Sequence, residues 1–406
     1  MARTLTIERL DPVTGDGIAY DGAQVIAAPF TLPGDIITLS GETVTLTTSA
    51  AQDRQDPPCP HFGQCGGCRL QHASDAMVAT WKRGIVRDAL LHHGVEADIA
   101  PTVTIPPATR RRARLTLQRT KKTALFGFRA AGEHRVIDIA ACPVLTPAIM
   151  AALPDLKAIA LAGAPRKRAV TIQVTETETG LDVAADAMKE VDLPLRETLA
   201  TLVERAGLAR LTWNGEVIAE RHPPALHFGP ALVHVPSGSF LQATKQAEAV
   251  ILDLLREAVG DAQRLADLFS GCGAFSLPFA AHAPVTAIDS EAASIAALDK
   301  AARGTPALHP VTARCRDLFR NPLLPDELAP FDAVILDPPR AGAKAQVAPL
   351  ASSGVPVIAM VSCNPATFAR DARALVEGGY RPGPIVPVDQ FRWSPHTEVV
   401  GIFRRP

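Results

Sequence analysis

The sequence predicts an α/β protein whose C-terminal part is a doubly wound parallel sheet, preceded by a small β-barrel and a β-rich middle. Three observations carry this expectation. From about residue 236, an apolar run, a Gly or Pro turn and an alanine-rich stretch recur in that order, the βαβ pattern of a parallel sheet. Residues 1 to about 50 instead hold short β-rich runs cut by turns such as Thr14-Gly15-Asp16-Gly17 and Pro33-Gly34, a spacing that suits a small barrel. Between about 100 and 235, strand-like runs alternate with turn signals. The expected units are 1–52, 53–235 and 236–406, in keeping with a length of 406 residues, which is long for one domain.

Composition sets the outer bounds. An apolar content of 47% supports real cores and excludes a disordered chain. The net charge of −1 gives no global sign of a polyanionic partner. The charge is uneven, however. Arg110-Arg111-Arg112, Arg114, Arg119 and Lys121-Lys122 fall within thirteen residues, and Arg166-Lys167-Arg168 follow later. Such a stripe can neutralise phosphates locally, although a solvated strand face is the plainer reading of a charge run by itself. The N-terminal residues, Met1 to Arg9, lack an apolar targeting run, and no stretch approaches the ~18 apolar residues of a membrane span. The expected location is therefore cytoplasmic, with no membrane contact. The seven cysteines should be reduced there and open to metal binding or catalysis.

The elements follow in chain order. Barrel strands are expected at 4–7, 18–20, 24–27, 35–39 and 42–47, and the Pro-rich stretch from Asp53 to Pro60 reads as a linker. Next come Cys59, Cys65 and Cys68, spaced x5 then x2 with a Gly-Gly turn, able to wrap one compact centre. Cys142, followed by Pro143, is the obvious fourth ligand. A local group plus one remote cysteine is common for iron–sulfur clusters. Zinc prefers paired C-x2–4-C knuckles, so it is the second choice, and free structural thiols the third. His61 and His72 read as neighbours of the site rather than ligands. Middle strands are expected at 113–118, 169–174 and 211–214.

In the C-terminal part, 264–269 reads as the first strand of the doubly wound sheet, followed by the Gly271 and Gly273 loop and a helix from about Ala274. Glycines there let backbone approach a nucleoside closely. Residues 285–289 read as the second strand, and its terminal Asp289 can accept both ribose hydroxyls of a bound nucleotide. The loop alone would serve NAD equally well. The Asp337-Pro338-Pro339-Arg340 turn after the apolar run 333–336 shifts the balance to S-adenosylmethionine, because a rigid Pro-Pro turn can hold groups against a flat substrate. Cys363, in Val361-Ser362-Cys363-Asn364-Pro365, ends the next apolar run. A cysteine and an acidic Pro-Pro turn at neighbouring strand ends suggest a methyltransferase with a covalent nucleophile. Cys272 and Cys315 carry no motif and read as structural.

Over nearly its whole length the chain resembles the RNA uridine-5-methyltransferases, in particular the ribosomal-RNA branch with an N-terminal TRAM domain and a 4Fe-4S cluster. The resemblance rests on six features in order: Cys59, Cys65, Cys68 with Cys142; Ser239-Phe240-Leu241-Gln242; DLFSGCGAF; DPPRAGA; VSCNPATFARD; and His396-Thr397-Glu398. It implies that Gln242, Phe269, Asp289, Asp317 and Asp337 contact S-adenosylmethionine, that Cys363 is the nucleophile and that Glu398 is the base. It also implies a class I methyltransferase domain, a 4Fe-4S cluster on the four cysteines, and a helical stretch from about 71 to 102 packed on the methyltransferase domain. Two positions depart from the family: Ala274 stands where asparagine is common, and Asp289 where glutamate is common. The implied product is 5-methyluridine in large-subunit ribosomal RNA, favoured over transfer RNA because of the TRAM-like start, and the expected assembly is a monomer.

The implied chemistry needs these residue types. Uracil carbon 5 is a poor nucleophile until a thiolate adds to carbon 6 and makes an enolate. A base must then remove the carbon 5 proton so that the thiolate can leave. Free cysteine has a pKa of about 8.5, so the site is expected to favour the thiolate. Three other readings are weaker. An amino-group methyltransferase would place an aromatic residue after the Pro-Pro pair, and a cytosine-5 enzyme a cysteine; the residue there is Arg340. An inert iron–sulfur RNA-binding protein would not need Asp337, Cys363 and Glu398 together.

Overall fold

The computed structural model describes residues 2–121 and 123–406. Met1 and Lys122, the latter counted above in the basic run, lie outside the described residues. The N-terminal unit consists of two three-stranded antiparallel sheets, Arg3–Thr6, Ile36–Ser40 and Thr43–Thr48 in one, and Arg9–Leu10, Gly17–Asp21 and Gln24–Ala28 in the other. Alternate residues Ala19, Ile26, Ala28, Ile37 and Leu39 turn inward to share one small core with Ile7.

The middle unit is a seven-stranded sheet that includes Arg112–Arg119, Val170–Thr177 and Gly180–Ala185 as neighbours. The helices Leu153–Gly163 and Leu193–Ala206 bury Leu156, Ile159, Leu199 and Val203 in the same core as the sheet residues Leu115, Ile172 and Val183.

The C-terminal sheet has eight strands, here numbered in chain order: β1 Val103–Thr104, β2 Leu265–Leu268, β3 Val285–Asp289, β4 Val311–Cys315, β5 Ala333–Leu336, β6 Val357–Ser362, β7 Arg381–Asp389 and β8 Glu398–Arg404. Their spatial order is β4-β3-β2-β5-β6-β8-β7-β1. The run from β4 to β6 is parallel, and β8 is antiparallel to both its neighbours. β2 and β5 are buried along their whole length, as strands covered on both faces must be, which is why they read as unbroken apolar runs. On one face, Ile251 and Leu255 of the helix Lys245–Val259 join Leu265, Ile335 and Val361. On the other, Phe368 and Leu375 of the helix Pro365–Glu377 join Val334, Leu336 and Met360. The doubly wound class I methyltransferase fold expected from the sequence is the fold observed.

Two segments of the stretch 53–235 pack on the C-terminal sheet. The helix Asp75–His92, designated α1, is capped by Ser74, whose hydroxyl accepts the Met77 N–H at 3.2 Å. It buries Val86 and Leu90 beside Phe368 and Leu375, so it docks on the C-terminal sheet although it precedes the middle unit in sequence. The hairpin Ala225–Phe228 and Ala231–His234 puts Leu226, Phe228 and Val233 against Leu277 and Leu298. An isolated hairpin cannot bury its own apolar face; residues 225–235, grouped above with the middle unit, pack on the C-terminal one.

Candidate active site

The chain order of the strands reverses between β2 and β5, and in open α/β sheets ligands bind outside the strand ends at that point. A cavity of about 560 Å³ opens there, lined among others by Gln242, Phe269, Gly271, Asp289, Asp337, Cys363 and Glu398. The two glycines of the loop have different tasks. Gly271, at φ 54°, has open space where a side chain would sit. Gly273, at φ 92°, has Leu298 2.9 Å from where its Cβ would lie, so it lets the loop pack on the helix Ala292–Arg303 instead of approaching a ligand. Asp289 orders the same loop: its carboxylate accepts the Gly271 N–H at 3.0 Å and the Glu291 N–H at 2.8 Å.

Phe269, just after β2, lies in the left-handed region, at φ 66°. That conformation is costly for a bulky residue and collects at functional sites. Its ring lies 5.4 Å from that of Phe319, which also lines the cavity and which sequence reasoning missed. Asp317 does not line the cavity. Its carboxylate accepts the Phe319 N–H at 2.9 Å and pairs with Arg320 at 3.5 Å, so it shapes the turn that presents Phe319.

At the other end of the cavity stand Asp337, Arg340, Cys363 and Glu398, delivered by the C-terminal ends of β5 and β6 and the start of β8. Asn364 caps the helix after Cys363, accepting the Ala366 N–H at 3.1 Å, while its amide donates to the Arg340 carbonyl at 3.1 Å, so the two turns are tied. Burial raises the Cys363 thiol pKa, and the Glu398 charge raises it further; Arg340 opposes both. Desolvation and two nearby carboxylates outweigh one guanidinium, so the thiol of the bare site is held above its ordinary value. Burial also raises Glu398, to about 7, against the lowering effect of the Gln390 amide and Arg340. Asp337 is raised by burial and by the charges of Glu398 and Asp267. Asp267, beneath the loop, is raised to about 7 by burial; one oxygen accepts the Ser276 hydroxyl at 2.5 Å and the other has no partner.

Two amides link these acids. Gln242 donates to Asp337 at 2.9 Å, and Gln390 donates both to Gln242 Oε1 at 2.8 Å and to Glu398 Oε2 at 2.6 Å. The loop between β7 and β8 is fixed from below by Lys82 of α1. Its Nζ donates to Asp389 at 2.5 Å, to the His396 carbonyl at 2.7 Å and to the Phe391 carbonyl at 3.3 Å.

A second cavity, of about 630 Å³, is lined by Cys59, Cys65, Cys68 and Cys142 and shares Arg110, Arg112, Phe240, Arg340 and Phe391 with the first. The structure brings the four cysteines together. Burial raises the Cys68 thiol to about 12, and it raises Cys65 and Cys142 as well; each is pushed further by its sister thiols. Among the described residues, no three His, Cys, Asp or Glu side chains form a site for a single metal ion.

The basic run is not uniformly a solvated face: Arg114 and Lys121 are exposed, Arg110 and Arg112 are half-buried, and Arg111 is buried. Arg111 is buried, donating to Glu248 at 2.6 Å and to the Gln242 carbonyl at 3.1 Å, so it holds the Gln242 segment in place. Arg110 lies 5.8 Å from the Phe391 ring centre, and Arg112 lies 4.5 Å from that of the exposed Phe240. These two cations border both cavities.

No family model matches the chain. It is 43% identical over 395 residues to a Brucella suis protein named as an RNA methyltransferase, covering 96% of this chain and 95% of that one. A Rhizobium meliloti protein of the same description is 43% identical over 412 residues, 99% of each. The 23S rRNA (uracil(1939)-C(5))-methyltransferase of Halomonas elongata is 31% identical over 434 residues, covering 97% of this chain and 87% of that one. The fold is that of the Pyrococcus abyssi tRNA (uracil-54, C5)-methyltransferase solved with S-adenosyl-L-homocysteine, at a TM-score of 0.75 and 23% identity over 99% of this chain and all of that one. Full-length identity at this level, with the strand-end cavity of a methyl-donor fold, leaves one assignment: the chain is an S-adenosylmethionine-dependent RNA methyltransferase and belongs to the RNA uridine-5-methyltransferase family.

Proposed function

We propose that the protein makes 5-methyluridine in ribosomal RNA, with Cys363 as nucleophile and Glu398 as base. The observation that carries this reading is the meeting of Cys363, Arg340, Asp337 and Glu398 at one end of a cavity whose other end holds Phe269, Gly271 and Asp289. The Cys363 thiolate adds to uracil carbon 6, and the resulting enolate takes the methyl group of S-adenosylmethionine at carbon 5. Glu398 removes the carbon 5 proton, and elimination returns the double bond and frees the thiolate. A base with a pKa near the working pH suits that step, and burial brings Glu398 there. Gln242, Phe269, Gly271, Asp289 and Asp337 hold the donor, with Phe319 beside Phe269; Gly273 and Asp317 act through loop packing and turn shape. Ribosomal RNA is favoured over transfer RNA by the N-terminal barrel, read as a TRAM module, and by the name of the Halomonas relative. No helix among the described residues is long and apolar enough to cross a membrane.

The test separates the two steps. Cys363→Ala should release RNA unchanged. Glu398→Gln should stall as a denaturation-resistant protein–RNA complex carrying the donor's methyl label. Normal turnover by Glu398→Gln, or a labelled complex from Cys363→Ala, refutes the assignment. Mapping 5-methyluridine in both RNA classes from a deletion strain decides the target.

The four cysteines fit a 4Fe-4S cluster. They line one cavity, and the buried thiols need a strong Lewis acid to become thiolates. When bound, the cluster would tie the loop 59–68 to Cys142 covalently. Anaerobically purified protein should contain iron and sulfide in near-equal amounts, and Cys68→Ser should bleach it; zinc in their place overturns the cluster.

A further inference from the structure

Gln390 has no place in any motif, yet it is the junction of the site. It is buried, 4% exposed, just after β7. Its Oε1 accepts the Ala243 N–H at 2.9 Å. A backbone N–H can only donate, so this one contact dictates which way the Gln390 amide faces. Its NH2 group must then point away from Ala243, where it meets Glu398 Oε2 and Gln242 Oε1. With its oxygen committed to Gln390, Gln242 must turn its own NH2 toward Asp337. The whole chain of bonds, Ala243 to Gln390 to Gln242 to Asp337 with a branch to Glu398, has one permitted polarity.

We propose that Gln390 is a positioning residue for the elimination step, aiming the Glu398 carboxylate and coupling it to the donor side of the site through Gln242. The proposal rests on Glu398 being the base. Both hydrogens of the Gln390 NH2 group are in use, and Glu398 has no other side-chain donor among the described residues. The titratable and charged groups around the carboxylate are Asp337, Arg340 and Cys363 at the ends of β5 and β6, and His396 on its own loop. The Lys82–Asp389 pair lies below. Among the described residues, Arg340 is a cation that favours the ionised form of Glu398. Gln390 is the neutral group that holds the same form, through its N–H on Oε2. Its N–H stabilises the carboxylate, so losing it disfavours ionisation and moves the acid limb of the elimination rate to higher pH.

The test is the decay rate of the methylated covalent complex, measured across pH after mixing enzyme, RNA and labelled S-adenosylmethionine. Gln390→Met keeps the volume and removes the donor. It should still form the labelled complex but clear it about fivefold more slowly at neutral pH, with the acid limb displaced upward by about one unit. A packing role would lower the rate at every pH and leave the limb where it is, and that result overturns the proposal. Should Gln390→Met fail to fold, Gln390→Glu keeps an oxygen for the Ala243 N–H and puts a second acid beside Glu398. It should displace the limb at least as far, and an unmoved limb again overturns the proposal. Glu398→Gln, run alongside, separates the two ideas. If it clears the complex normally, the base assignment falls and this inference with it. If it stalls while both Gln390 variants keep the wild-type limb, only the inference falls.

Discussion

Replacing Lys82 with methionine should be among the most destabilising single changes available in this chain. The side chain is fully buried, and its three ammonium hydrogens go to Asp389, the His396 carbonyl and the Phe391 carbonyl. Methionine fills the volume but leaves the Asp389 carboxylate, itself 2% exposed, without a cation. Breaking a buried pair from one side costs about 3–5 kcal/mol, more than the two unpaired carbonyls add separately. At a urea slope of about 2–3 kcal/mol per molar, the unfolding midpoint should fall by roughly 1–2 M. Tryptophan emission in a Trp213→Phe background reads the right region, because Trp213 sits in the middle core. Trp81 adjoins Lys82 in α1, and Trp393 lies on the clamped loop. Adding Asp389→Asn to Lys82→Met should recover part of the loss, since the stranded charge is then gone. A midpoint shift below about 0.3 M at unchanged slope, or no recovery in the double variant, would refute the reasoning.

Three further outcomes are expected. Asp289→Ala should weaken S-adenosylmethionine binding by roughly 1.5–3 kcal/mol and also loosen the Gly271 loop that its carboxylate holds; calorimetry showing unchanged affinity removes Asp289 from the donor site. Replacing Arg110 and Arg112 together by glutamine, with Arg111 left in its ion pair, should lower RNA affinity and flatten its salt dependence; an unchanged salt slope means neither touches phosphate. Asp267→Asn should stabilise the protein above neutral pH. The folded pKa of Asp267 is raised from 3.8 to about 7, so wild type loses stability as pH climbs between those values. The variant should lack that loss, on the order of 4 kcal/mol, and denaturation curves that stay parallel from pH 4 to pH 8 would contradict it.

The fold was legible where burial leaves a mark on residue type. Ala333–Leu336 and Val357–Ser362 are covered on both faces, and such strands tolerate little else than apolar residues. The strand-end positions of Asp337 and Cys363 followed from those runs. What stayed hidden depends on partners far away in sequence. Gln390 meets Gln242 across 148 residues, and nothing local distinguishes it from a surface glutamine. Lys82 left a faint signal, since it falls at the spacing of Val78, Val86 and Leu90 on the buried stripe of α1, where a lysine has no business without a partner. The arginine run does not show in sequence which members turn inward; extended backbone sends alternate side chains to opposite sides, which takes Arg111 away from Arg110 and Arg112. The thiol pKa of Cys363 was also beyond reach, because it is set by how deeply Glu398 and Asp337 are buried beside it.

The placement of α1 sets an order of events during synthesis. Lys82 and Asp389 are separated by 307 residues, so at about 5–20 residues per second the helix emerges roughly 15–60 s before the strand that neutralises its cation. During that interval the middle unit can close its own sheet, while α1 waits with Val86 and Leu90 uncovered. The nascent chain therefore carries an unfinished docking surface through most of its translation. The loop that holds His396 can take its final shape only when helix and strand meet at the end.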